Sequence, residues 1–387
     1  MKHKPHVTII CVSFLFLFGF ISLSILQNQS TKHEQAVPLT YNWYYSLNGK
    51  SPVSLSIPTH VDCYYHKGDT VDLYTTLPTT SIKQPYLRTK IFLQHVKIFL
   101  DNELLYTYDG NINTSGNLEV GSGLLVFPLP KDYAYKTLHI QYIHSFDRIT
   151  NYIFPITLTE KNLTETLLFD SAETIYLNSW FLLTGIVCLL ASLYLKFQKQ
   201  PYLSFVFLGI FAIIYSIWLL CNTKCLQLFT QNLAFIHHLE YLCFYASAIP
   251  LWLFFYQIVS KHSLKLYCFI SVLPAIVFYI VAIILQYMDK ANFFELLPAY
   301  HLLLGGNLLL MIIFIALLIY KKHPLSQGLL VGILCLILSG ILEIVKFYAT
   351  NIKVTSFINY GIILFFFNLI YALYRPKNLT KSKTTHF

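Results

Sequence analysis

The sequence predicts a membrane protein of three parts: an N-terminal membrane anchor, an extracytoplasmic all-β jelly-roll-like sandwich, and a seven-helix transmembrane bundle. Three observations predict it. Only 12% of the 387 residues are charged and 56% are hydrophobic, with a mean hydropathy of +0.56, whereas a soluble domain is about a quarter charged. Apolar runs of roughly 20 residues, the length a helix needs to cross about 30 Å of hydrocarbon, recur through the C-terminal half. Ahead of them the pattern changes to short alternating segments bounded by Gly, Pro, Asn and Asp, which is strand patterning.

The first apolar run covers residues 7–26, flanked by Lys2 and Lys4. Its length favours an uncleaved signal anchor; Ser22-Leu23-Ser24 is the small-x-small pattern of a cleavable signal peptide, so both readings stand. Seven more runs follow at 175–195, 202–220, 235–259, 266–286, 299–320, 327–348 and 354–374. The expected parts are therefore 1–29 (anchor), 30–170 (sandwich), 171–375 (bundle) and 376–387 (basic tail).

A net charge of +9 invites a nucleic-acid reading until it is divided by region. Residues 27–174 are net −3, the N-terminus +2, and the bundle with its tail +10. If the helices alternate, Lys2, Lys4, Lys196, Lys199, Lys261, Lys265, Lys321, Lys322, Arg375, Lys377, Lys381 and Lys383 fall on one side, and only Lys224, Lys290 and Lys353 on the other. The positive-inside rule then puts both termini in the cytoplasm and residues 30–170 outside, in a multi-pass protein of the cell membrane. The charge belongs to topology and to the lipid bilayer, and no nucleic-acid partner is expected.

Cys11, Cys188, Cys243, Cys268 and Cys335 lie in apolar segments, where a free Cys acts as a small apolar side chain. Cys63 has no neighbour in the exported part. Cys221 and Cys225 share an outer loop and could bridge in an oxidising compartment, or remain two thiols.

Nine strands are expected in the exported part: 53–57, 61–65, 70–75, 87–94, 96–100, 104–108, 124–128, 138–144 and 152–158. So many short strands argue two packed sheets, because one sheet would leave an apolar face wet. The clearest piece runs from Val96 to Tyr108, two alternating strands around Asp101-Asn102-Glu103, since Asp and Asn tolerate left-handed backbone angles in a tight turn. Hairpins of this kind resemble those of carbohydrate-binding jelly rolls. Trp43, Tyr44, Tyr45, Tyr64, Tyr65, Tyr133 and Tyr135 offer either a stacking platform for a sugar ring or, more plainly, sandwich core and interface residues. No paired carboxylates, Ser-His-Asp set or metal-spaced cluster is present there, which points to a binder and not an enzyme.

Ionisable groups inside membrane segments cost about 2.5–3.5 kcal/mol each on insertion scales. The candidates are His237, His238 and Glu240 in the third segment of the bundle, His301 and Asn307 in the fifth, Glu343 and Lys346 in the sixth and Asn359 in the seventh. With the orientation above they share the outer third of the membrane, as a ligand or coupling layer beneath the exported part. Snorkelling and interhelical hydrogen bonding are the plainer readings. Glu343 and Lys346, three apart, are expected to pair, leaving Glu240 to face His301 or Asn307. A zinc hydrolase built from His237, His238, Glu240 and His301 is disfavoured, because adjacent His residues point about 100° apart on a helix and the His-Glu-x-x-His spacing is absent. No cofactor or metal is expected. A transporter would show repeated halves and broken helices, and Pro250, Pro274 and the Gly305-Gly306 interruption are too ordinary to support one.

The order of parts, the 96–110 hairpin, the run Glu240-Tyr241-Leu242 leading to Ile249-Pro250-Leu251, and Leu342-Glu343-Ile344-Val345-Lys346-Phe347-Tyr348 together carry a family likeness. The chain resembles the bacterial seven-helix receptors with diverse intracellular signalling modules, in the form fused to diguanylate cyclases. The resemblance implies a sensor whose exported part binds a carbohydrate-like or other small ligand and whose bundle relays that state inward. Members of that family continue into an output domain, while residues 375–387 here hold four basic residues, so the expected output is a separate cytoplasmic signalling protein. The competing expectations are an envelope accessory protein that binds glycan without signalling and an intramembrane metal-dependent hydrolase.

Overall fold

The computed structural model describes residues 36–61, 63–82, 84–112, 118–147, 152–288, 290–321, 326–350 and 357–374. The expected anchor at 7–26 and the tail at 376–387 lie outside the described residues.

Alternation along the chain builds two main antiparallel sheets. The smaller has the order β1 (Ala36–Pro38), β14 (Thr157–Thr159), β6 (Tyr86–Phe92), β11 (Ser122–Pro128). The larger has the order β3 (Val53–Leu55), β2 (Trp43–Leu47), β5 (Thr70–Thr76), β12 (Thr137–His144), β7 (Gln94–Leu100), β8 (Glu103–Tyr108). Two ribbons pair β9 (Asn111–Ile112) with β10 (Leu118–Glu119) and β4 (Thr59–His60) with β13 (Tyr152–Ile153). Leu87 and Leu158 of one sheet and Leu73, Ile98 and Ile140 of the other are fully buried. The sheets meet through stacked rings of Tyr106 and Phe127, 5.3 Å apart, and through Gly121 N–H donating to the Tyr108 hydroxyl.

The 96–108 hairpin forms as expected, with Asp101 and Asn102 both at positive φ in its turn. Three expectations are corrected. The described residues of 61–65 form no strand, and Cys63 N–H bonds the Val61 carbonyl instead of a neighbouring strand. The segment 87–94 ends at Phe92, because Leu93 takes a left-handed φ of 54° and the chain passes into the other sheet as β7. The segment 152–158 splits around Pro155, which has no N–H to offer a ladder. Strands β1, β2 and β4 and the β9–β10 ribbon were not anticipated; the run Trp43-Tyr44-Tyr45 of β2 was read only as aromatic content.

Helix α1 (Leu163–Asp170) opens with a capping box in which Asn162 and Glu165 exchange side-chain and backbone bonds. There follow α2 (Ala172–Phe197), α3 (Leu203–Asn222), α4 (Leu233–Ala246), α5 (Ala248–Ile258), α6 (His262–Tyr287), α7 (Leu297–Tyr320), α8 (Ser326–Thr350) and α9 (Phe357–Tyr374). The third expected run is thus two helices parted at Ser247, since Pro250 cannot donate to the Ala246 carbonyl. The interruption expected at Gly305-Gly306 does not occur, and α7 runs through both.

Among the described residues six segments are long and apolar enough to cross a membrane: Ala172–Phe197, Leu203–Asn222, Leu233–Ile258, His262–Tyr287, Phe293–Tyr320 and Leu330–Phe347. The apolar stretch Phe357–Leu369 of α9 is shorter. Leu190, Tyr194, Ile270, Val277 and Leu338 leave their apolar side chains exposed, a surface suited to lipid and not to water. The described chain divides into two compact units. One holds the strands, α1 and the residues to Trp180 together with Tyr215–Cys243; the other holds Phe181–Ile214 and the residues from Phe244 onward.

Candidate functional site

The first unit contains a polar junction where the turn between α3 and α4 meets the edge of the smaller sheet. Strand β11 is that sheet's outermost strand, so one row of its backbone groups has no strand partner. Gln227, in the 3-10 turn Cys225–Leu228, supplies one: its Oε1 accepts from Leu124 N–H at 2.9 Å and its Nε2 donates to the Leu124 carbonyl at 3.1 Å. A side-chain amide here substitutes for a neighbouring strand, and its burial makes both bonds obligatory.

Beside it, Lys224 adopts a left-handed backbone, φ 64°, at the start of the same turn. Its Nζ lies 2.7 Å from Glu240 Oε2 and donates to Ser122 Oγ at 3.0 Å. Asn222 Nδ2 donates to the other carboxylate oxygen at 3.3 Å. Glu240 and Ser122 are buried, so the ion pair holds one charge from the turn and one from α4 against the first residue of β11.

Two glycines allow the approach. A Cβ at Gly121 would sit 2.0 Å from the Leu233 carbonyl carbon and oxygen, and one at Gly123 would sit 2.8 Å from Leu233 Cδ1. The Phe92 ring meets the His237 ring edge-on, 6.2 Å between centroids. At the other end of this sheet, Arg88 of β6 pairs with Asp170 at the end of α1.

Within this unit, then, His237 and Glu240 both belong to the junction. Glu240, expected to face His301 or Asn307, takes Lys224 and Asn222. His238 lies in the same unit, its ring centroid 6.1 Å from that of His237, and the remaining candidates lie in the second unit. Asn307 accepts from Trp252 Nε1 at 2.7 Å and donates to the Leu303 carbonyl, a helix-to-helix bond of the ordinary structural kind. His301 packs edge-on to Phe347, 5.0 Å between centroids. Glu343 accepts from the backbone N–H groups of Phe357 and Ile358, capping α9, and Lys346 Nζ lies 5.4 Å from the centre of the Phe357 ring. Glu343 and Lys346 therefore converge on the start of α9, where Asn359 is also buried.

Lys224, Ser122, Gln227 and Gly121 were missed. The available signal was Lys224 itself, one of three basic residues on the side where basic residues are rare. Cys221 and Cys225 are buried and unbridged. Among the described residues no group of three or more His, Cys, Asp or Glu side chains is arranged to hold a metal.

The larger sheet has a crevice at one end, lined by Tyr65, Gln94, Tyr142, His144, Tyr152 and Phe154 among others. It encloses about 20 Å³, room for roughly one water molecule and too little for a sugar ring. Inside it His144 stacks on Tyr65, 4.2 Å between centroids, and burial pulls the imidazole down to about 4, so it is neutral at pH 7. Of the aromatics noted in the sequence, Trp43, Tyr45, Tyr65 and Tyr133 are core residues, while Tyr44, Tyr64 and Tyr135 are exposed.

No protein-family model matches the chain, and no curated protein matches it. Among solved structures it is similar to a GH2 beta-galacturonidase from Eisenbergiella tayi bound to galacturonate, at 12% identity and a TM-score of 0.23, covering 33% of this chain and 24% of that one. It is similar also to an FMN-binding beta-glucuronidase from Facaelibacterium prausnitzii L2-6, at 10% identity and a TM-score of 0.22, covering 33% of this chain and 22% of that one. The match thus spans about a quarter of the length of these enzymes.

Proposed function

We propose that the chain is a non-enzymatic, multi-pass membrane sensor of the kind it resembles, the bacterial seven-helix receptors. In this reading an N-terminal anchor precedes an extracytoplasmic jelly roll that binds a small ligand. Seven helices, with α9 as the last, then relay the bound state to a cytoplasmic signalling protein. The observation that carries the proposal is the junction of Ser122, Leu124, Lys224, Gln227 and Glu240. It fastens a strand edge of the β-domain to α4 by buried polar bonds. Such bonds are discrete: each is made or lost within a fraction of an ångström, so a shift of β11 on ligand binding is felt by α4. A greasy contact would slide.

The test uses the full chain in lipid nanodiscs. Hydrogen exchange is followed at Ser122–Leu124 and at 224–240 while small molecules are added, and the chain is used to capture cytoplasmic proteins. A ligand that binds the β-domain should change protection across the junction, and a signalling protein should co-purify. A folded chain in which no ligand alters exchange at 224–240 and no signalling protein is captured would mean it is not a sensor.

A further inference from the structure

The outer face of the smaller sheet gathers cations. On β6, Arg88 and Lys90 stand two residues apart and so share a face, while Thr89 and Ile91 between and beyond them are buried on the other. Register sets Arg88 opposite Val126, Lys90 opposite Leu124 and Phe92 opposite Ser122 on β11. Lys224 Nζ donates to Ser122 Oγ at 3.0 Å, which brings a further cation to the level of Phe92. Arg88, Lys90 and Lys224 are therefore staggered along one face in steps of about 7 Å.

The outer two of this row are neutralised. Arg88 pairs with Asp170 of α1, and Lys224 with Glu240 of α4. Lys90, between them, makes no ion pair or hydrogen bond among the described residues, and its side chain is exposed. The protein crowding its ammonium lowers the pKa of Lys90, the like charges of Arg88 and Lys224 lower it further, and Asp170 alone opposes them. The middle of the row is short of negative charge and open to an anion.

Position in the chain says which anion is at hand. Asp170 stands just before α2 and Lys224 just after α3, two of the membrane-length segments. Arg88 and Lys224 are thus tied to the places where apolar helices start and stop, which is the level of lipid headgroups. Next to Asp170, Leu168 and Phe169 of α1 are 46% and 45% exposed. Open apolar side chains at that level suit an acyl chain.

We infer that Lys90, flanked by Arg88 and Lys224, binds the phosphate of an anionic phospholipid whose chains lie against Leu168 and Phe169. The inference goes beyond the sensor reading and does not depend on it. A zwitterionic headgroup would bring its own cation into a row that already holds an excess of them, so the anionic lipid is preferred. A solvated surface lysine needs no partner, and isolated surface charges are commonly of that kind. Lys90 differs because like charges on both sides make its own charge costly, and an anion relieves that cost.

The full chain in detergent is titrated separately with dioleoylphosphatidylglycerol, dioleoylphosphatidylcholine and inorganic phosphate, and bound equivalents are counted by native mass spectrometry. The first equivalent of phosphatidylglycerol should bind about tenfold or more tightly than phosphatidylcholine, and free phosphate more weakly than either. Lys90→Gln should weaken phosphatidylglycerol about tenfold, with Lys90→Arg within about twofold of wild type. Leu168→Asn, at an exposed position whose change the fold tolerates, should weaken the lipid and leave phosphate unmoved. Lys131→Gln, at another exposed lysine of the β-domain, should change neither. Phosphatidylglycerol binding no tighter than phosphatidylcholine, or unmoved by Lys90→Gln, overturns the inference. Free phosphate binding as tightly as phosphatidylglycerol overturns it too, since the site would then take a soluble anion.

Discussion

Lys224 Nζ lies 2.7 Å from Glu240 Oε2, the lysine coming from the turn of a helical hairpin and the glutamate from the third turn of α4, its second helix. Removing one partner leaves the other charge buried, which costs about 3–5 kcal/mol, whereas removing both can be neutral. Lys224→Met should therefore lower the apparent melting temperature of the chain in detergent strongly. The double variant Lys224→Met/Glu240→Leu should melt above the single one. If the double variant is the less stable, the pair is not the buried interaction described.

Gln227 makes two bonds to one residue, and the substitution chosen separates them. Gln227→Ala leaves the Leu124 N–H and carbonyl without their partner, a loss of about 1–3 kcal/mol for buried groups. Gln227→Glu keeps an acceptor for the N–H but sets a carboxylate oxygen against the Leu124 carbonyl, and should be no better than Ala. Hydrogen exchange at Leu124 should speed up in both variants; unchanged exchange there would contradict the edge-covering role.

Gly121 has no room for a methyl group, because the nearest atoms belong to the Leu233 backbone and cannot swing aside. Gly121→Ala should destabilise by about 1–3 kcal/mol or more through overpacking. Gly305, in α7, has nothing within 4 Å of where its Cβ would be, so Gly305→Ala should stabilise by about 0.5–1 kcal/mol through helix propensity. Comparing the two melting temperatures checks both.

His144 makes stability depend on pH. Burial lowers its pKa from the ordinary 6.5 to about 4. The unfolded chain then takes up a proton between pH 6.5 and 4 that the folded chain refuses. The sign is fixed: no contribution above about 6.5, and stability lost as pH falls through the window, by about 3 kcal/mol in all. Denaturation of the full chain at pH 7.5, 5.5 and 4.5 should show this loss, and His144→Gln should flatten it. A His144→Gln profile as steep as that of the wild type would assign the pH dependence to other groups.

The parts of the fold that were legible in the sequence are those decided locally. Asp101-Asn102 needed only their own tolerance of positive φ to announce the 96–108 hairpin, and the apolar runs needed only their length. Strand β2 was not legible because Trp43, Tyr44 and Tyr45 are all aromatic, so burial of the first and third and exposure of the second left no alternation to read. Likewise nothing local parts α4 from α5 except Pro250, and the same residue type at 274 leaves α6 intact.

The site divides the same way. Composition and period determined by themselves that a strand-rich part precedes membrane-length helices, because burial in lipid and burial in a sheet demand different spacings of apolar residues. They also marked Glu240 and His237 as residues needing a reason, since a charge or imidazole in an apolar run is costly. Which partner each would take was settled only in three dimensions. Ser122 and Lys224 are about a hundred residues apart, and no periodicity links them. Tyr44, Tyr74, His139 and Phe99 stand opposite one another across four strands only because those strands share a register, which depends on how the core side chains of the two sheets interlock and not on any one strand.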